Sequence, residues 1–120
     1  MRYMLLIYDN EKEWAKFSAA DTQKVMGEYL QFSSEIRASG HYQSGAPLQP
    51  TSSATSVRIR NGRTLVTDGP FAETGEQLGG FYMVEAKDLD EAIAIASRIP
   101  SARLGTIEVR PVAPMPSASA

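Results

Sequence analysis

The chain has 120 residues, with 12 basic and 14 acidic side chains, so its formal net charge is −2. That length suits one domain, and a composition of 42% apolar and 22% charged residues is that of a globular chain rather than a disordered one. The absence of cysteine excludes disulfides, thiolate zinc sites and a cysteine nucleophile, and the single histidine excludes metal sites that need two imidazoles. The near-neutral charge gives no basic surface of the kind that attracts nucleic acid or an anionic membrane.

The two ends of the chain bear on location and domain limits. The opening apolar run, Tyr3–Tyr8, is too short for a signal peptide or a membrane span. We therefore expect a cytoplasmic protein that has neither a membrane nor a nucleic acid as partner. Residues 113–120 are proline, serine and alanine apart from one methionine. They are predicted to be a flexible C-terminal tail that follows a single domain of residues 1–112.

The first predicted strand, Tyr3–Tyr8, is apolar on both faces, because alternate residues of a strand point to opposite sides of a sheet. Such a strand must be covered on both sides. A long helix is predicted over 19–38, where Ser18 and Asp21 form a variant of the capping box and Gly40 provides the stop. Its predicted buried stripe consists of Val25, Tyr29, Phe32 and Ile36, widened by Met26 and Leu30.

The middle of the chain predicts a short strand and a hairpin. The strand is expected at His41–Gly45, before a proline-containing loop that runs through Ser53. Asn61-Gly62 favours a type I′ turn, since both residues tolerate a positive φ. A two-residue turn pairs 57–60 with 63–66, and it places Arg60 opposite Arg63, Ile59 opposite Thr64 and Val57 opposite Val66.

Three more elements are predicted: a strand over 81–85, a helix over 89–99 and a strand over 106–110. Asp88 is expected to cap the helix with Glu91 closing the box, and Pro100 to follow its end. The predicted buried stripe of the helix is Leu89, Ala92, Ile93, Ala96 and Ile99.

This order predicts an α+β fold of the ferredoxin-like βαββαβ type, with an extra β-hairpin. In that fold both helices cover one face of the sheet and leave the other bare. Because the first strand is apolar on both faces, we expect a homodimer that pairs through its sheets. The alternative is that the loop over 47–56 or the hairpin folds over the bare face.

The glycine-rich segment Thr67–Gly80 is the one most suited to chemistry, and it holds four of the nine glycines. Asp68 follows a predicted strand, and loops that carry ionisable groups on a strand scaffold often act as functional sites. As a general base, Asp68 would need burial to raise its pKa from the usual value of about 3.9. The alternatives are that Asp68 binds backbone amides in a turn, that Glu73 is solvated, and that Phe71 packs in the core.

His41 is the only imidazole, so a histidine base must be this residue. If His41 meets Asp68, the carboxylate would raise its basicity and fix its tautomer; otherwise it is an ordinary polar loop residue. No metal site and no cofactor is predicted. The catalytic candidates are Asp68, His41, Tyr8 and Tyr82, and the ligand-binding candidates are Phe71, Glu73 and Gln77.

The same segment contains the run Asp68-Gly69-Pro70-Phe71, followed by Ala72-Glu73-Thr74 and then by residues 76–82, Glu-Gln-Leu-Gly-Gly-Phe-Tyr. This run resembles the signature of the DGPF-domain, YCII-related proteins, and residues 2–8, 88–92 and 108–111 resemble that family as well. The resemblance implies a bacterial protein with a ferredoxin-like fold that pairs into a dimeric α/β barrel. It maps Asp68 onto the aspartate of the motif, whereas His41 falls in no matched motif.

Two functions follow from the resemblance, since the family is largely uncharacterised. The first is a cofactor-independent enzyme or small-molecule-binding protein that uses a pocket around Asp68. The alternative is a non-catalytic accessory or interaction module associated with extracytoplasmic-function sigma factors, beside which members of the family are often encoded.

Overall fold

The structure is a computed structural model that describes residues 1–116; residues 117–120 of the predicted tail lie outside the described residues. The strands are β1 (Arg2–Asp9), β2 (Tyr42–Pro47), β3 (Thr55–Arg60), β4 (Arg63–Asp68), β5 (Gln77–Glu85) and β6 (Thr106–Pro111). The α-helices are α1 (Glu11–Trp14), α2 (Ala19–Ala38) and α3 (Leu89–Ala96). Strands β2-β5-β1-β6 form an antiparallel sheet in that order, and β3 and β4 form a second one. The predicted α+β class is confirmed.

Helix α2 has the bounds and the cap that its sequence predicts. The Asp21 amide donates to Ser18 Oγ at 3.0 Å and the Ser18 amide donates to Asp21 Oδ2 at 3.4 Å, so the capping box closes. Gly40 follows with φ of +81°, the left-handed conformation that ends a helix without strain. The prediction that Met26 and Leu30 widen the buried stripe is wrong, because both are exposed at the mouth of a cavity described below.

Helix α3 departs from its prediction in three ways. It ends at Ala96 rather than at residue 99, because Ser97 caps it and the chain then turns into the 3₁₀ helix Pro100–Arg103. The Glu91 carboxylate accepts from the Lys87 amide and does not close a box on the cap residue. Two residues of the predicted stripe, Leu89 and Ile93, are exposed. The buried residues at the i, i+3, i+4, i+7 spacing are Ala92, Ile95, Ala96 and Ile99.

The core lies between the sheet and the two long helices. Tyr3, Leu5 and Ile7 of β1 are buried together with residues of α2, α3 and β5, so both helices cover the same face of the sheet. The opposite face of β1 carries Met4 and Leu6, which are only half-buried. Burial alternates along β1, so Tyr3, Leu5 and Ile7 lie on one face and Met4 and Leu6 on the other, and both faces are apolar.

The hairpin of β3 and β4 has the predicted register, and its turn residues Asn61 and Gly62 have φ of +53° and +74°. The predicted loop over 67–80 is too long, because β5 already begins at Gln77 and pairs with the end of β1 across an irregularity at Tyr8. Strand β2 also runs two residues beyond its predicted end. Within residues 1–116, no hydrogen bond joins the hairpin strands to the four-stranded sheet.

Candidate functional site

A cavity of about 500 Å³ opens between α2 and the β2–β5 side of the sheet. The loop that follows β2 and the short helix α1 form its remaining walls. Most of the lining is apolar, and a few polar side chains project into it, which is the usual character of a small-molecule site.

Tyr82 of β5 forms part of the cavity wall because of a glycine on the neighbouring strand. A Cβ atom on Gly45 would lie 2.9 Å from the Tyr82 ring and 2.9 Å from the carbonyl oxygen of Phe81, so only glycine leaves this space to the ring. The Tyr82 hydroxyl bonds Ser33 Oγ of α2 at 2.7 Å. A tyrosine phenol is protonated at neutral pH, and burial raises the pKa of Tyr82 further.

Three side chains from distant parts of the chain form a buried polar relay at the other side of the cavity. Ser101 Oγ donates to Asp9 Oδ2 at 3.1 Å, and Tyr29 and Ser101 share a hydrogen bond of 2.5 Å. Since a serine has one hydroxyl proton and Ser101 gives it to Asp9, Tyr29 must be the donor of the second bond. Asp9 is only 8% exposed and Ser101 only 1%.

The second carboxylate oxygen of Asp9, Oδ1, takes no part in the relay. Within the described residues Asp9 Oδ1 makes no hydrogen bond, and none of their fully enclosed side-chain oxygens lacks a partner. Asp9 Oδ1 is therefore accessible, and Asp9 lines the cavity. Burial and then the charge of Asp9 raise the pKa of Tyr29 against the opposing bond from Ser101, so Tyr29 also stays protonated.

Local structure fixes the relay in place. Asp9 continues the alternation of Tyr3, Leu5 and Ile7, which puts its side chain on the helix-covered face of β1. Ser101 lies in the 3₁₀ helix after α3, and Arg103 of that helix bonds Glu28 of α2 at 2.7 Å. The turn that carries Ser101 is thereby tied to the helix that carries Tyr29.

Arg37 gives the cavity a positive charge away from the relay. It lies two helical turns beyond Tyr29 on α2, a rise of about 12 Å. Its guanidinium stacks at 4.2 Å over the Tyr42 ring and makes no ion pair within residues 1–116. The cavity thus offers hydrogen-bond acceptors at one end and a cation at the other.

Of the predicted site residues, only Tyr82 lines this cavity. Asp68, Phe71 and Glu73 are exposed. No hydrogen bond to the Asp68 side chain occurs within the described residues, so the turn-forming alternative for it is not observed. His41 bonds Ser39 at 2.6 Å and Glu91 at 3.1 Å, and the structure does not bring it to Asp68.

The two remaining candidates also lie outside the cavity. Tyr8 borders a shallow surface depression with Glu76, Thr106 and Glu108. The Gln77 side chain accepts from the Glu11 amide at 3.0 Å and donates to the Thr74 carbonyl at 2.6 Å, so it links α1 to the loop before β5. The functional roles predicted for these residues stay predictions.

Sequence reasoning missed the residues of the relay. Asp9 could have been predicted, because the alternation of β1 places this carboxylate on the same face of the strand as Tyr3, Leu5 and Ile7. Tyr29 was assigned to the core stripe of α2, and Ser101 had no signal in the sequence, since its position depends on how the chain turns after α3.

The antiparallel sheet backed by helices defines a small α+β domain whose cavity holds a buried acidic relay. The YCII-related domain model matches residues 1–116, so the chain belongs to the YCII-related family. A relative, an uncharacterised protein of Rhizobium meliloti (strain 1021), is 37% identical over 115 residues, which is 94% of this chain and 93% of the relative. The predicted YCII-related resemblance is confirmed, and the function of the family remains uncharacterised.

Two further observations concern membrane-spanning helices and metal-binding clusters. Within residues 1–116, no helix has the length and apolar character needed to cross a membrane. The same residues contain no cluster of three histidine, aspartate or glutamate side chains arranged to hold a metal ion.

Proposed function

We propose that the protein binds a small organic molecule in the cavity beside α2, and that Asp9 takes up a proton from this molecule without a cofactor. The accessible oxygen of Asp9 carries this proposal. A buried carboxylate is costly unless its oxygens are hydrogen-bonded, and Asp9, which lines the cavity, has Oδ2 held by Ser101 while Oδ1 has no hydrogen-bond partner within the described residues. A ligand with an O–H or N–H group would supply the missing donor.

The relay suits Asp9 to act as a general base. When the ligand gives its proton to Oδ1, the negative charge of Asp9 is neutralised and the ligand keeps the electron pair. Ser101 and Tyr29 hold Oδ2 in place during the transfer, and Tyr29 keeps its own proton, since a phenol is protonated at neutral pH and burial raises the pKa of Tyr29 further. The expected ligand is an apolar molecule with a donor group that faces Asp9 and an anionic group that faces Arg37.

Ligand-observed NMR with a panel of small hydroxy and amino carboxylic acids tests the proposal. We expect Asp9→Asn to weaken binding at least about tenfold. The side-chain amide cannot take up a proton, and its NH₂ group would face the O–H or N–H group of the ligand in place of an acceptor oxygen. The matched control is Asp90→Asn, which changes an exposed aspartate of α3 in the same way. Equal loss in both variants, unchanged binding in Asp9→Asn, or no binding by the wild-type protein would contradict the proposal.

We also propose that the sheet order β2-β5-β1-β6 with both helices on one face is a ferredoxin-like arrangement, and that two copies pair through the opposite face as in a dimeric α/β barrel. That face carries cross-strand apolar pairs, Met4 with Met83 and Leu6 with Phe81. All four are half-buried in the single chain, and a second sheet packed over them would exclude the remaining water.

Association with an extracytoplasmic-function sigma factor and a cytoplasmic location are retained as proposals that rest on the sequence alone. Co-purification of such a factor with the tagged protein tests the first of these. A fractionation of the host cell tests the second.

A further inference from the structure

The hairpin arm, which we define as residues 55–71, has an apolar face that no other segment of residues 1–116 covers. Val57 and Val66 are cross-strand partners, and Ile59 lies on the same face two residues along. Val66 is 63% exposed, and Phe71 just beyond the hairpin is 81% exposed. An isolated two-stranded hairpin is marginally stable in water, so this face needs a partner surface.

The mouth of the cavity is a second uncovered apolar surface. Its rim consists of Met26 and Leu30 of α2 and Leu48 of the loop after β2. Leu30 is 73% exposed, although it lies beside a helix stripe that packs in the core. The arm and the rim therefore have matching apolar character, and the single chain leaves both open to solvent.

The charge distribution favours another copy of this chain as the partner of the arm. Three arginines and one aspartate give residues 55–71 a net charge of +2, which leaves −4 on the rest of a chain whose total is −2. A basic arm is attracted to the acidic body of a second copy. Exchange between two identical chains satisfies both uncovered surfaces at once through a two-fold axis.

The arm is also long enough to reach a partner that packs through its sheet. Six residues in a strand extend about 20 Å, whereas packed sheets lie about 10 Å apart. An arm that leaves one copy beside β2 can therefore extend past the edge of the partner's sheet to its helix-covered side.

We propose that the arm of each copy docks on the cavity rim of a second copy and closes that cavity. Asp68 lies on the same face of the hairpin as Val66, since it is two residues further along β4. Docking would bring Asp68, which is exposed and does not line the cavity of its own chain, to the cavity of the partner. The docking is inferred from the apolar face of the arm and the apolar cavity rim, whereas its effect on ligand binding rests on the proposed function.

Site-directed cross-linking tests the docking. The chain has no cysteine, so an introduced cysteine is the only thiol that can react. Leu30→Cys and Val66→Cys chains are co-expressed with different tags and treated with a short bismaleimide. We expect a covalent dimer that contains both tags, at least about fivefold more abundant than with Leu30→Cys and Arg58→Cys. Arg58 is the matched control because it lies on the opposite face of the same hairpin.

Equal yields from the two pairs, or no mixed dimer, would overturn the proposal. So would a chain that carries both Leu30→Cys and Val66→Cys but cross-links only within itself, since the arm would then cover its own rim. Val66→Thr gives a second measurement that keeps a β-branched residue in the strand. We expect it to lower the mixed-dimer yield of Leu30→Cys with Phe71→Cys at least about threefold, and an unchanged yield would count against docking.

Ligand binding separates this proposal from the proposed function. If cross-linking succeeds while Asp9→Asn leaves ligand binding unchanged, the docking stands and the proposed function fails. If Asp9→Asn abolishes binding while the cross-link is absent, the proposed function stands and the docking fails. Where both hold, Asp68→Asn should weaken ligand binding at least about threefold with the cross-link yield unchanged, and unchanged binding would exclude Asp68 from the closed cavity.

Discussion

Ser101 and Asp9 are separated by 92 positions in the chain, yet Ser101 Oγ donates to Asp9 Oδ2 at 3.1 Å inside the domain. This bond links the end of β1 to the turn after α3, and Tyr29 of α2 extends it to the helix layer. Two hydrogen bonds thus join three elements that line the cavity, namely β1, α2 and the turn after α3. Their integrity should govern both the stability of the domain and the geometry of the site.

Ser101→Ala should destabilise the fold. The change leaves the Tyr29 hydroxyl without its acceptor and Asp9 Oδ2 without its donor, and an unsatisfied buried polar group costs about 1–3 kcal/mol. Urea unfolding followed by circular dichroism measures the free energy of unfolding. Ser34→Ala, at an exposed position of α2, is the control and should change it by less than about 0.5 kcal/mol. Similar losses in the two variants would show that the relay does not stabilise the domain.

The raised pKa of Tyr29 predicts how stability depends on alkaline pH. A group that holds its proton more tightly in the folded state contributes stability below its unfolded pKa of about 10, and this contribution is lost as pH rises through the folded value. The free energy of unfolding should therefore fall above about pH 10. In Tyr29→Phe the fall should be shallower, although Tyr82 still contributes in the same direction. Parallel pH profiles for the two proteins would contradict the assignment.

The parts of the fold that depend on local sequence could be predicted, and the site could not. The hairpin register follows from the two φ-positive residues Asn61 and Gly62, and the start of α2 follows from Ser18 and its partner three residues on. These signals act within a few positions. The cavity is different, because its relay combines β1, α2 and the turn after α3, whose approach depends on the packing of the whole domain.

Asp68 shows the limit of reasoning from a motif. Its run of glycine, proline and phenylalanine identified the family correctly, but the motif contains no information on what its side chain contacts. In the single chain Asp68 is exposed, whereas Asp9, in a plain apolar strand, is the buried carboxylate. The alternation of β1 was the better guide to the cavity, since burial of every second residue fixes where the next side chain lies.

Gly45→Ala should distort the cavity wall, whereas Gly27→Ala should not. A Cβ atom at Gly45 meets the Tyr82 ring at 2.9 Å, while nothing lies within 4 Å of a Cβ at Gly27 in α2. We expect Gly45→Ala to cost about 1–3 kcal/mol of unfolding free energy and to break the bond between Tyr82 and Ser33. Gly27→Ala should stabilise the protein by about 0.5–1 kcal/mol, since alanine favours a helix. Thermal unfolding of both variants checks the pair, and the same sign of change in both would contradict the close packing at Gly45.

Met83→Lys should disrupt the proposed pairing of two sheets. Met83 is the cross-strand partner of Met4 on the face away from the helices, so in a dimer paired through that face the substitution buries an unpaired ammonium between the two sheets. We expect the dissociation constant of the dimer to rise at least about 100-fold, equivalent to about 2.8 kcal/mol. Sedimentation equilibrium over a range of concentrations measures it directly.

The matched control for this prediction is Gln31→Lys, which adds the same charge at an exposed position of α2 away from both apolar surfaces. It should leave the dissociation constant within about threefold of the wild-type value, because a surface charge changes association little. If Met83→Lys also leaves the constant unchanged, or if the wild-type protein sediments as a monomer at every concentration, the sheets do not pair in solution. A dimer that survives Met83→Lys but not Val66→Thr would instead be held together by the hairpin arms alone.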